Sequence, residues 1–164
     1  MILLSDANIL IDLGYVNGLG VLTQIGPTEV LDTVLLECEY GNQPGLVDGV
    51  LHAGVTAVTT ETVWLREARR LRSTTMNLSQ QDRLNFYYAQ RFARVLLTGD
   101  NPLRKHSQRY GVEVHGSLWI IEQAFGQGLV PKKELCRWMQ AWPALGRRLP
   151  KEELQSLRAK MACP

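Results

Sequence analysis

The chain has no apolar run near the roughly 20 residues of a membrane span, so no transmembrane helix is expected. Its start, MILLSDANILIDL, lacks a basic leader region and carries two aspartates, so no secretory signal is expected either. Cysteine is scarce, with only Cys38, Cys136 and Cys163. An odd number without CxxC spacing argues against a disulfide framework and against a zinc site. Reduced thiols in a cytoplasmic setting are the simplest expectation. Gly14, Gly18 and Gly20 do not form a GxGxxG fingerprint, and no Walker A sequence occurs, which weakens dinucleotide and nucleotide-triphosphate readings. His52, His106 and His115 have no ligand-like spacing.

Basic residues are missing from the first part of the chain. Residues 1–63 hold eight acids and no Lys or Arg, whereas all 18 basic residues lie from Arg66 onward, against eight acids. Such a division can set an acidic cleft beside a basic surface, and such surfaces attract cations and phosphates respectively. With 164 residues, 45% of them hydrophobic, the chain can bury a core without a staple.

Apolar runs alternate with helical patterns. Ile2–Ser5 reads as a buried strand, and Asp6 ends it before a helical stretch from Ala7 to Leu13. Further strands are expected at Thr28–Asp32, Val55–Thr60, Val95–Thr98 and Val112–Val114. Helices are expected at Val34–Tyr40, Glu61–Arg72, from Ser79 through Ala93, from Pro102 through Arg109, and Ser117–Ala124. Two more fall near Pro131–Ala141 and Pro150–Lys160. The alternation predicts an α/β fold with a parallel sheet covered on both faces.

In such sheets, ligands sit at the C-terminal ends of the strands. Asp6 and Asp100 each follow a buried strand, while Glu37 and Asp82 lie near helix starts. Four acids from distant positions can therefore meet at one edge, where their mutual repulsion would be relieved by Mg²⁺ or Mn²⁺. Each acid also has a plain structural use. Asp6 and Asp100 can cap helices, Asp82 completes the S-x-x-D box opened by Ser79, and Glu37 can be a solvated helix residue. The combination is more specific than any member.

Several segments, in order, resemble the PIN-domain family, of the prokaryotic type that includes VapC-like ribonuclease toxins. They are Leu3–Ile11, Val34-Leu35-Leu36-Glu37, Leu78–Asp82 with Phe86–Ala89, Leu96-Leu97-Thr98-Gly99-Asp100, Leu103-Arg104, and Gly111–Trp119. The likeness covers about residues 1–125. It implies a three-layer α/β/α sandwich whose nuclease domain spans 1–125, with a C-terminal helical extension, 126–164, packed on the same domain. It implies metal ligation and catalysis by Asp6, Glu37, Asp82 and Asp100, with Glu39 as the substitute for Glu37. Asn8 would brace the Asp6 turn, and Thr98 or Ser79 would support the metal shell. Asn101 stands where some relatives carry another acid.

The resemblance implies a metal-dependent endoribonuclease that uses activated water and leaves a 3′-hydroxyl and a 5′-phosphate. It also implies RNA as a partner, a cognate antitoxin if the protein is a toxin, and a homodimer. Arg104 and Lys105, following the Asp100 strand, are best placed to hold RNA backbone, together with Asn8 and Thr98. Arg66, Arg69, Arg70 and Arg72 form a second basic group, read first as a solvated face. Trp119 is expected in the core, and Trp138 and Trp142 are spaced to pack the tail. A non-catalytic RNA- or protein-binding module of the same fold is the main competitor. A phosphatase with an aspartate nucleophile would share Asp6, but its usual second acid is replaced by Asn8.

Overall fold

The computed structural model describes residues 1–71 and 77–164. Five parallel strands form the sheet among them: β1 (Leu3–Ser5), β2 (Thr28–Leu31), β3 (Thr56–Val58), β4 (Val95–Leu97) and β5 (Val114–His115). Their order is β3-β2-β1-β4-β5. Leu3 pairs with Thr28 on one side and Val95 on the other, so the central strand is bonded along both edges. Leu3, Leu4, Leu96 and Leu97 are fully buried, which is why these short runs read as apolar without alternation.

Ten helices surround the sheet among the described residues: α1 (Ala7–Tyr15), α2 (Gly20–Ile25), α3 (Asp32–Glu39), α4 (Leu46–His52), α5 (Thr62–Arg70), α6 (Gln80–Arg91), α7 (Asn101–Arg109), α8 (Ser117–Gly126), α9 (Lys132–Ala144) and α10 (Lys151–Lys160). Right-handed crossovers put α1 to α4 on one face and α5 to α7 on the other. The last three helices join the first face, α8 against α2 and α9 and α10 against α8. This is the expected α/β/α sandwich with a C-terminal helical tail. No described helix is long and apolar enough to cross a membrane.

The tail docks through large rings. Trp142 is fully buried, and its indole N–H donates to the Asp12 carbonyl at 2.7 Å. Trp138 packs onto Gly18 so closely that a Cβ there would stand 2.7 Å from the ring, so any side chain at that position would force the ring to shift.

Some expectations need correction. Helices α2 and α4 fall where no helix was expected, because they are just six and seven residues long and lie between glycines. Helix α3 starts at Asp32 rather than Val34, and β5 is Val114–His115 rather than Val112–Val114. Helix α5 ends at Arg70, and Arg72 lies outside the described residues. The cysteines are not all reduced: Cys136 and Cys163 are bonded, with an S–S distance of 1.99 Å, and Cys38 is free and buried. Sequence spacing of 27 residues gave no sign of this pairing, which arises because α10 folds back on α9.

Candidate active site

The strand order reverses between β1 and β4, because the chain moves from β1 out to β3 and then returns to β4 on the other side. That switch point opens a crevice at the C-terminal ends of these two strands. Asp6 follows β1 there, and Thr98, Gly99 and Asp100 follow β4. Helices α1 and α7 start at the same edge, and α6, antiparallel to the strands, brings its N-terminus to it. Helix N-termini carry partial positive charge and favour carboxylates.

Each acid is held by its own helix. Asp6 is the N-cap of α1, and its Oδ1 accepts from the Ile9 N–H at 3.0 Å. Its Oδ2 accepts from the Thr98 hydroxyl. Thr98 Oγ1 in turn accepts from the Asp100 N–H at 3.1 Å, so a short relay joins the two strand ends. Asp100 caps α7, with Oδ1 accepting from the Leu103 N–H at 2.8 Å. Asp82 and Ser79 form a full capping box on α6, with both bonds at 3.0 Å. Capping and chemistry are thus not alternatives here, since a cap leaves a carboxylate its second oxygen.

The electrostatics single out Asp6. It is only 4% exposed. Burial pushes its carboxyl up to about 7, the Thr98 and Ile9 hydrogen bonds oppose that rise, and the charges of Asp82 and Asp12 add to it. Glu37 is also pushed above its ordinary value, first by partial burial and then by Asp82. The charge of Asp82 thus acts on both Asp6 and Glu37. Glu37 and its substitute Glu39 are both exposed and both lie in the last turn of α3, not near a helix start as expected, because α3 begins two residues early at Asp32.

Among the described residues, no three His, Cys, Asp or Glu side chains converge closely enough to hold a metal as they stand. Asp82 and Asp100 are turned back onto their own helix starts. The donor set nonetheless fits a hard divalent cation: all oxygen, mutually repelling, with one acid so buried that it ionises poorly alone. Asp6, Asp82, Asp100 and Glu37 are the residues that would hold it.

Not all of the remaining residues sit as expected. Thr98 is fully buried behind Asp6, so it orients the carboxylate rather than reaching a substrate. The Asn8 Oδ1 faces Arg147 at 3.5 Å, and among the described residues its side chain makes no hydrogen bond to the Asp6 turn. Arg104 and Lys105 lie on α7 and line a groove of about 890 Å³ with Asn8, Asp100 and the linker from α9 to α10. Trp119 is half-buried rather than core and stacks on His115, with centroids 4.3 Å apart and planes 5° from parallel. His106 is packed against Phe86 at 4.4 Å and Tyr110 at 4.7 Å, and burial and Arg109 hold it below its ordinary value.

One organising residue escaped the sequence reading. Asp12, 4% exposed, accepts from the Ser117 hydroxyl at 2.6 Å and from the Arg147 guanidinium at 2.5 Å. It joins α1, α8 and the tail. Its signal was a lone acid inside the apolar stretch Ile9–Leu13, since a charge on a buried helix face demands partners.

An α/β/α sandwich with acids gathered at its switch point defines a class of carboxylate-edge domains. The PIN-domain family model matches residues 2–162, and the chain belongs to that family, whose members are as a rule nucleases and commonly use divalent metals. Among solved structures, the chain resembles PAE2754 from Pyrobaculum aerophilum, with a TM-score of 0.57 and 17% identity, over 74% of this chain and 88% of that one. That likeness is one of fold. No curated protein matches the sequence.

Proposed function

We propose that the chain is a metal-dependent endoribonuclease. The observation that carries this reading is Asp6, a buried carboxylate at the switch point whose charge is opposed by burial, Asp82 and Asp12. Among the described residues, no cationic side chain is among the groups that shift it. A carboxylate kept in such surroundings is relieved by an exogenous cation. When bound, Mg²⁺ or Mn²⁺ supplies the Lewis acidity that activates water and stabilises charge building on a phosphodiester.

The chain's own residues then divide the work. Thr98 fixes the Asp6 carboxylate, and the Asp100 N–H fixes Thr98. Asp82, Asp100 and Glu37 contribute negative charge and hard oxygen donors at the same edge. Arg104 and Lys105 hold backbone phosphates beside Asp100. No side-chain nucleophile is required. As the toxin of a toxin–antitoxin pair, such an enzyme would be silenced by a small protein covering this edge.

The test is cleavage of a mixed RNA pool by wild type and Asp100→Asn, each with Mn²⁺, Mg²⁺ or EDTA. Metal-dependent cleavage by wild type alone supports the reading. RNA binding by wild type with no cleavage under any condition would favour the non-catalytic module.

A further inference from the structure

The linker between α9 and α10, residues 145–150, crosses the same end of the sheet as the acids. Its two arginines have different neighbours. Arg147 is spent on Asp12, at 2.5 Å, and this contact with the buried Trp142 pins the linker to α1. Arg148, the next residue, is exposed, and among the described residues it makes no ion pair. It lines the 890 Å³ groove whose other wall is α7, where Arg104 and Lys105 are likewise in no ion pair among the described residues. Elsewhere some arginines are paired, Arg94 with Glu29, Arg137 with Glu134 and Arg70 with Glu67, whereas Arg69, Arg91 and Arg109 are in no ion pair among the described residues, so it is the grouping of three such cations along one groove that sets Arg104, Lys105 and Arg148 apart.

A second cavity, of about 600 Å³, continues beyond Arg104 and Arg148, which line both. It is mixed in charge, with Glu122 and Glu152, and it holds the half-buried His115–Trp119 stack. The first groove carries Arg104, Lys105 and Arg148 outside any ion pair among the described residues, beside the acids Asp100 and Glu153, and its cations suit phosphates. The second, bearing hydrogen-bonding groups and an aromatic stack, suits a base.

We infer that the α9–α10 linker is one wall of the substrate groove, and that Arg148, facing Arg104 and Lys105 of α7, holds a backbone phosphate of single-stranded RNA next to the Asp6–Asp100 edge. The inference rests on the nuclease reading for its substrate, and it makes the tail part of the binding surface rather than simple packing. Arg147 is a positioning residue, acting through Asp12 to set where Arg148 falls.

The test compares Arg148→Gln with Arg69→Gln, which removes the same charge from an exposed position on α5. Binding of a fluorescent 12-nucleotide single-stranded RNA to the full chain is followed by anisotropy in EDTA, across a salt series. Arg148→Gln is expected to weaken binding about tenfold and to flatten the log–log salt slope by about 0.7, the loss of one single-strand phosphate contact. Arg69→Gln is expected to change neither, and Arg148→Lys to recover part of the loss. Equal effects from the two glutamine variants, an effect from Arg69→Gln alone, or no RNA binding by wild type would overturn the inference. Loss of binding specific to Arg148→Gln without cleavage by wild type in Mn²⁺ would uphold the groove and sink the nuclease. Cleavage by wild type with unchanged binding by Arg148→Gln would do the reverse.

Discussion

Glu29, on β2, and Asp6, just past the end of the adjacent β1, stand in opposite electrical surroundings. Glu29, on β2 level with Leu4, receives two bonds from Arg94, at 2.8 and 3.0 Å, and one from the Tyr88 hydroxyl at 3.0 Å. Its charge is answered within the chain, and the carboxylate raises Arg94 above its ordinary value, holding it firmly protonated. Asp6, two residues beyond Leu4, receives only neutral donors and has acids for neighbours. Helix α6 links the two settings, with Asp82 at its start and Tyr88 two turns on. One carboxylate is part of the scaffold. The other is left incomplete, which is how a binding site differs from a structural ion pair.

Opposite substitutions should separate these roles. The largest expected effect is on cleavage: Asp6→Asn, Asp82→Asn and Asp100→Asn should each abolish it while circular dichroism stays native. Full activity in all three would end the site assignment. Glu29→Gln should leave cleavage near wild type, and a loss matching that of Asp6→Asn would erase the contrast.

Stability should move the other way. The folded pKa of Asp6, about 7, lies above its ordinary value of 3.8. The folded state therefore holds this proton more tightly than the unfolded chain, and metal-free stability falls as pH rises from about 4 to about 7. Asp6→Asn removes that cost and should stabilise the metal-free protein at pH 8 by about 2–4 kcal/mol, with little gain at pH 4. Glu29→Gln should destabilise by about 1–3 kcal/mol, because partly buried Arg94 loses its partner. Urea melts in EDTA at both pH values measure each effect. By the same linkage, Mn²⁺ affinity should rise with pH up to about 7, as the proton on Asp6 stops competing, and a flat titration would refute the burial argument.

A smaller effect concerns the second acid. Glu37→Gln should lower cleavage more than Glu39→Gln, since Asp82 acts on Glu37. The reverse order in a rate assay would move the role to Glu39. Smallest in its effect on turnover should be Asp12→Asn, which weakens the tie to Arg147 and costs about 1–3 kcal/mol in a melt, with binding of RNA falling more than turnover.

Features carried by local chemistry were legible in the sequence. Two apolar triplets each followed closely by Asp, and Ser79 three residues before Asp82, announce strand ends and a helix start because the residues concerned are neighbours in the chain. Asp6 and Asp100 could be assigned to one edge because a parallel sheet has only one C-terminal side, whereas Glu37 falls in the last turn of α3 rather than near its start. What depended on long-range packing stayed hidden. Asp12 and Arg147 meet across 135 residues, and neither position carries a pattern pointing to the other. Short α2 and α4 have too few turns for a periodic signal.

The Cys136–Cys163 bond has a consequence for the linker it encloses. It closes a loop with a sequence separation of 27, and Arg147 and Arg148 lie near the loop's middle. In a chain-entropy view, tying these ends removes disorder from the unfolded ensemble and favours the folded tail by about 3.5 kcal/mol. The bond touches neither arginine. It acts as a covalent tether between α9 and the end of α10. The basic wall is thereby leashed at both ends of its loop as well as pinned by Asp12, and a reductant would leave the non-covalent pins to hold it alone.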